Sequence, residues 1–427
     1  MPMLRDHPRR FDLANELHAR PFPALTAPCR AAFLAIKRET DAVGRDRDAD
    51  RAHLDALLDR FGGDRPAPGA THFFGKLGRH QLKWESHTEF VTYTLFSDGV
   101  ADRPFDGAMF DVFPQDWLAE APGVRLTSAL IRVETQTPED AVERKLHEWF
   151  VPESLAASRV LDNSALLASD FRIDSAGHVR FAAFITDETG ARRVGRIVQR
   201  LTEIETYKTM AMLALPRARA LSSDVGRMDQ ELSDLVGRLR GGDANIDETL
   251  EGLLEIGSEL ETMLARSAFR FGAQEAYERL VNQRIEVLRE DRFGGRQTFA
   301  EFMMRRFDPA MRTCRSVQNR MEALAERAKR AGDLLSTRVN VDRANQNAAL
   351  LRSMDDRSAA QLRLQKTVEG LSVVAISYYA LGLVSALVYP LGAAAGMSKE
   401  MVSALVVIPV VAAVWFVVRR IRKVVED

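Results

Sequence analysis

Residues 370–398, GLSVVAISYYALGLVSALVYPLGAAAGMS, carry no Asp, Glu, Lys or Arg, and neither do residues 401–418, MVSALVVIPVVAAVWFVV. A helix needs roughly 20 largely apolar residues to cross the hydrocarbon of a bilayer, and each run is long enough. The first reads as a spanning helix over 370–395 and the second over 401–420, joined by a short turn at Lys399 and Glu400. Elsewhere the chain is ordinary polar protein, since 28% of its 427 residues are charged and these two stretches contribute none. The expected architecture is a large water-soluble body followed by a C-terminal two-helix transmembrane hairpin, with the lipid bilayer as its first partner.

The flanks of the two runs predict an orientation. Arg363 and Lys366 precede the first, and Arg419, Arg420, Arg422 and Lys423 follow the second, whereas the turn offers one Lys against one Glu. Basic flanks stay on the cytoplasmic side, so both termini are expected in the cytoplasm and the turn outside. Met1–His7 is charged and followed by no apolar run, so it does not read as a secretory signal. Cys29 and Cys314 are the only cysteines, too few for an extracellular disulfide framework. The basic tail 421–427 reads as a topology signal and a contact for anionic lipid. With 59 Lys and Arg against 60 Asp and Glu, the chain has no large basic field, and nucleic acid is not an expected partner.

The soluble part divides by pattern. Residues 1–24 read as an N-terminal docking segment. Residues 25–190 read as an α+β or α/β domain with a sheet of five to seven strands. A helix is expected over 46–61, with Leu54, Leu57, Leu58 and Phe61 on one face. Gln81–Ser86 and Glu89–Phe96 are rich in aromatic and β-branched residues and lie close together, which predicts a hairpin. A further strand is expected over Val124–Glu134. It runs into Thr137-Pro138-Glu139-Asp140, where Thr137 can accept from a free backbone N–H, proline suits the first turn and the acids favour the dipole end of a helix. A second hairpin is expected at Ala168–Ile173 and Val179–Thr186, through the Ser175-Ala176-Gly177 turn.

Beyond Gly190 apolar residues recur at helical spacing, as at Leu232, Leu235 and Leu239, and breakers fall at Pro216, Gly241-Gly242, Gly294-Gly295 and Pro309. Residues 191–308 are expected to form a helical bundle region. After Pro309 no proline occurs until Pro390, which predicts a long stalk helix over 309–369 continuing into the first span.

No Walker loop, dinucleotide glycine fingerprint, nucleophile elbow, paired cysteines or zincin helix is present, so no enzyme activity, catalytic residue, metal site or cofactor is expected. His72, His80 and His87 lie near acids, but strand alternation splits them between faces. Near the N-terminus, Asn15, Glu16, His18 and Arg20 pack four polar types into a short segment ended by Pro21, a combination suited to a carboxylate or phosphate, with Arg20 as the fork. In the first span Ser372, Ala375, Tyr378, Gly382, Ser385 and Tyr389 recur three or four apart, one small-and-polar stripe. Hydroxyls in hydrocarbon need a partner or water. The stripe is therefore expected either to pack against helices of other subunits, making the chain a homo-oligomer, or to line an aqueous pore.

The stretch Asn15–Pro21, the segment Glu203-Ile204-Glu205-Thr206-Tyr207, the run Pro309-Ala310-Met311-Arg312-Thr313-Cys314 and LRLQKTVEGLSVVAISYY over Leu362–Tyr379 together resemble an uncharacterised bacterial family of predicted membrane-anchored proteins, a domain-of-unknown-function family. The likeness covers essentially the whole chain. It implies a multi-pass protein of the bacterial inner membrane and carries over no catalytic residues. The order of soluble domain, helical region, long helix, two spans and basic tail is also similar to the CorA-type magnesium transporters, pentameric channels with Gly-Met-Asn just after the first span. Here Gly396-Met397-Ser398 stands at that place, with Ser398 for the Asn and Ala395 for the preceding aromatic. The resemblance implies a pore mouth at these residues and cations as partners. Two expectations follow: an oligomeric inner-membrane protein with a sensing or scaffolding cytoplasmic domain, or a divergent two-span cation channel.

Overall fold

The computed structural model describes residues 4–16, 22–39, 44–241 and 246–426, in two units, Met1–Ala331 and Gly332–Asp427. In the first, chain order is α1 (Arg10–Glu16), β1 (Cys29–Lys37), α2 (Arg47–Arg60), β2 (His72–Leu77), β3 (His80–Ser86), β4 (Phe90–Asp98), a 3-10 turn (Gly107–Val112), α3 (Gln115–Ala119) and β5 (Val124–Thr135). It continues with α4 (Glu139–Trp149), β6 (Ala156–Val160), β7 (Ala165–Ser169), β8 (Val179–Ile185), α5 (Ala191–Met212), α6 (Ala214–Gly241), α7 (Ile246–Glu286), β9 (Asp291–Arg292) and α8 (Phe299–Arg306). α9 (Asp308–Ala394) begins in this unit, and α10 (Lys399–Glu426) belongs to the second.

The described strands form one mixed sheet in the order β2-β3-β4-β1-β5-β8-β7-β6-β9. All neighbours are antiparallel except β5 and β8. The order of elements strand-helix-strand-strand-strand occurs twice, at β1 to β4 and at β5 to β8, and the two sets meet at the central β1–β5 pair. Both expected hairpins are present, as β3–β4 and β7–β8, but β7 lies at Ala165–Ser169, ahead of the expected Ala168–Ile173, of which Ile173 makes only an isolated bridge to Val179. Nine strands exceed the expected five to seven for a physical reason. β1 is covered on both faces, so CRAAFLAIK has no alternation to betray it. β9 is two residues long and comes from the helical region.

Alternation along β1 sorts the core. Cys29, Ala31, Phe33 and Ala35 join Ile131, Phe181, Val194, Ile197, Leu201, Val281, Ile285 and Phe299 on one face. Ala32, Leu34 and Ile36 join Leu54, Leu57, Leu58 and Trp117 on the other, where Leu166 and Phe184 also meet Val142 and Leu146 of α4. Helices therefore cover both faces. The apolar stripes of α5, α7 and α8 lie on the sheet, so segments 25–190 and 191–308 share one core; α6 packs along α7. Position 137 also differs from expectation. Pro138 caps α4 and makes no side-chain capping bond, and the Thr137 hydroxyl is buried without a partner. α2, by contrast, is capped by Asp46, which accepts from the N–H groups of Asp48 and Ala49.

Polar groups inside this core are placed with care. Nε2 of His53 lies 2.9 Å from the Trp117 carbonyl, so it must carry the hydrogen, and Nδ1 then accepts from the Tyr93 hydroxyl at 2.9 Å. Trp117 Nε1 returns a bond to the His53 carbonyl at 2.8 Å. Glu89, buried at the start of β4, accepts two bonds from Arg270 of α7, both 2.8 Å, and one from Tyr277 at 3.2 Å. Nearby, Arg45 Nε approaches Asp50 Oδ2 at 2.9 Å without hydrogen-bond alignment, while its Nη2 donates to Ser86 Oγ and the His87 carbonyl.

Burial depresses His53, His80 and His178 below the ordinary histidine value of 6.5. Their contribution to stability is complete above that value and is lost as pH falls through the folded-state values. Asp50 and Glu278, raised by burial, act with the opposite sign, losing stability as pH rises through theirs. The thermal midpoint of the detergent-solubilised chain is therefore expected to fall between pH 7.5 and 5.5, less so in His53→Gln, as followed by circular dichroism. A second expectation concerns Gly195 in α5, where an added Cβ would stand 1.7 Å from the Pro23 carbonyl oxygen. Gly195→Ala is expected to cost about 1–3 kcal/mol by overpacking, read in urea denaturation against Gly226→Ala, which meets open space.

Candidate functional site

In the second unit, covered positions of α9 include Val373, Ser377, Leu381, Ser385, Val388 and Gly392, flanked by Ser372 and Ala380, and those of α10 include Val402, Val406, Val410, Val414 and Val418, flanked by Ser403 and Val407. Apart from the four flanking positions, each set is spaced three or four apart, along one face of a helix. At Gly392 a Cβ would stand 2.5 Å from Val402 Cγ2, so the backbone of α9 comes close to α10 there. The hydroxyls of Ser377 and Ser385 on this face are buried without a partner, whereas Ser372 donates back to the Val368 carbonyl at 2.8 Å. Of the stripe expected from sequence, Ser372 and Ser385 are half-buried, and Ala375, Tyr378, Gly382 and Tyr389 are exposed.

Gly396, Met397 and Ser398 have a local explanation. The N–H of Gly396 donates to the Ala393 carbonyl at 3.1 Å and that of Met397 to the Gly392 carbonyl at 3.0 Å. These are the two bonds of a Schellman stop, with Gly396 at φ +74 in the left-handed region. Ser398 precedes α10, its carbonyl accepting from Val402 N–H at 3.1 Å and its hydroxyl from Met401 N–H at 3.4 Å. Closing one helix and opening the next accounts for all three residues. Of the N-terminal polar segment, Asn15 and Glu16 lie at the end of α1, and His18 and Arg20 lie outside the described residues.

His72, His80 and His87 do not converge: among the described residues no group of three or more His, Cys, Asp or Glu could hold a metal ion. The cysteines are no nucleophiles near neutral pH. Burial, aided by Asp98, pushes Cys29 up to about 12, and burial with Glu278 pushes Cys314 up to about 11.

His80 instead belongs to a basic pocket that sequence reasoning missed. The pocket, about 130 Å³, is lined by Arg30, Arg79, His80, Arg103, Asp106 and Arg132. Arg30 of β1 stands in register with Ser97 of β4 on one side and Arg132 of β5 on the other. Arg132 is engaged: Nε donates to Glu134 at 2.5 Å, Nη1 donates to the Ala101 carbonyl at 2.6 Å, and the guanidinium lies over Trp149 at 5.3 Å. Among the described residues no carboxylate forms an ion pair with Arg30, Arg79 or Arg103. Arg79 Nε donates to His80 Nε2 at 3.3 Å, so Nδ1 carries the hydrogen and donates to Ser97 Oγ at 2.6 Å. Burial, then Arg79 and Arg30, lowers His80 and favours this neutral form. Asp106 is occupied in capping the 3-10 turn through the Ala108 N–H. The only sequence signal was a charged residue inside each of two strands, and nothing in the sequence says that those two residues are neighbours.

No curated protein matches the chain. The family model described as "Protein of unknown function (DUF3422)" matches residues 5–425, nearly its whole length, and the chain belongs to that family.

Proposed function

We propose that the chain is an oligomeric protein anchored in the bacterial inner membrane by α9 and α10, which form a helical hairpin, and that Met1–Ala331 serves as a cytoplasmic sensing or scaffolding body. The observation that carries this reading is the bareness of the most apolar helices. Both are long and apolar enough to cross a membrane, yet only 6% of the apolar window of one and 11% of the other is buried. A core helix of a soluble protein has the same composition but is mostly covered. Leu371, Leu383, Leu387, Leu391, Leu405 and Ile408 are all exposed, and each left in water forgoes roughly 1.5–3 kcal/mol of burial. Lipid supplies the missing apolar surroundings. The matching covered faces of α9 and α10 support the hairpin, and the close approach at Gly392 fits the preference of membrane helices for small residues at contacts. The basic residues outside the two runs support cytoplasmic termini.

Oligomerisation is supported by Ala375, Tyr378, Gly382 and Tyr389, a small-and-polar set on the uncovered side of α9 that hydrocarbon has no reason to select. The channel alternative places the same stripe on a pore and Gly396-Met397-Ser398 at its mouth; the helix stop and cap give Gly396 and Ser398 a role that needs no ion.

After alkaline extraction of membranes the full chain is expected in the pellet, released only by detergent. Leu383→Lys with Leu387→Lys, at about 2.5–3.5 kcal/mol for each charge near mid-bilayer, is expected to move a large share to the supernatant; recovery of the unmutated chain there without detergent ends the anchored reading. Because Cys29 and Cys314 are both buried, Met397→Cys gives one accessible thiol, expected to react with an impermeant maleimide added outside spheroplasts. Light scattering of the detergent-solubilised chain reads subunit number, and a monomer at every concentration removes the oligomer.

A further inference from the structure

We propose that the pocket beneath residues 99–113 binds a small organic anion, a carboxylate or phosphate group on a short apolar body, with Arg30 as its principal partner. Two arginines directly opposite on neighbouring strands repel, and the half-buried Arg30 guanidinium has no protein acceptor among the described residues, which leaves its donors open to a ligand entering the pocket. Arg132 is compensated by Glu134 and the Ala101 carbonyl; Arg30 is not. Arg79 and Arg103 arrive from two different loops to line the same cavity. An anion between them converts a repulsive arrangement into charge-assisted bonds, and the planar fork of arginine matches carboxylate and phosphate oxygens.

The far wall fixes the rest of the ligand. Phe105, Met109 and Leu130 give the cavity an apolar side, which suits carbon and not a bare ion. At about 130 Å³ it holds the equivalent of about four waters at ~30 Å³ each, enough for one oxyanion and a few carbons. Phe105 is held at φ 52, a left-handed conformation unusual for a bulky residue, by contacts of its ring with Trp149 and Phe150, each 5.6 Å between centroids. That anchor keeps the loop over the pocket. Through Arg132, which lies over Trp149, occupancy of the pocket reaches an indole.

The pocket would give the sensing body its ligand. Binding and anchoring are read by separate measurements, so either can fail alone. The test is calorimetric titration of the full chain in detergent, at low ionic strength, with inorganic phosphate, butyl phosphate, succinate and butyrate, with tryptophan fluorescence in parallel. At least one organic probe is expected to saturate a single site per chain and to bind tighter than inorganic phosphate. Preference for butyl phosphate identifies a phosphate ester, and preference for succinate or butyrate a carboxylate. Arg30→Gln is expected to weaken binding tenfold or more, the scale of one charge-assisted hydrogen bond, with Arg30→Lys intermediate. Without ligand, Arg30→Gln is expected to melt no lower than the parent, because it relieves the repulsion. Should that variant fail to fold, the exposed Arg79→Gln decides, and it too must weaken binding. The proposal is overturned if no organic probe saturates, if the deciding variant binds like the parent, or if Arg144→Gln, on the surface of α4, weakens binding as much.

Discussion

The first unit is governed by a sheet with two apolar faces. A strand such as β1, covered above and below, cannot shed either face to water, so the chain must supply helices on both sides. α2, α3 and α4 are inserted between strands and cover one side. The other side has no helix until the last long strand is complete, and α5, α7 and α8 then close it with residues from Val194 to Phe307. Polar contacts reinforce that closure without replacing it: Arg270 forms an ion pair from α7 back to Glu89 beside β4, and Lys83 of β3 donates a hydrogen bond to Gln199 of α5 at 2.8 Å.

The same topology creates the basic pocket. β1 and β5 meet at the centre of the sheet because two similar sets of elements are joined there. Their register brings Arg30 and Arg132 face to face at the end of the strands, where the following loop crosses. Elsewhere the protein pairs its buried charges, as at Asp170 with Arg180 or Glu205 with Lys208. Arg30 differs from these in facing a second guanidinium across the strands with no carboxylate among the described residues paired to it.

The helices of the second unit present a different surface. In the first unit most leucines and phenylalanines are buried; in the second most leucines and all three tyrosines are exposed, while Ser377, Gly392, Val402 and Val410 are among the covered positions. Exposed leucines of this kind fit the proposed anchoring, because lipid tails solvate leucine as well as another leucine does.

Local chemistry was legible in the sequence. The charge-free runs, the helix over 46–61, the hairpins at β3–β4 and β7–β8 and the strand β5 follow from composition, alternation and turn residues, which act over a few positions. Misreadings arose where the deciding partner lies far along the chain. β1 hid because the strands and helices that bury both its faces, and so erase alternation, come from distant segments; Thr137 is the local exception, where its neighbour Pro138 holds the cap position. The pocket was illegible for the same reason as β1: Arg30 and Arg132 are separated by about a hundred residues, and only strand register makes them neighbours. Sequence alone determined most of the helices, the strands β3, β4, β5 and β8, and the two charge-free apolar runs, since those are near-neighbour properties. Tertiary structure decided which faces and charges meet, since hydrogen-bonded pairing between distant strands sets distances that no local pattern encodes.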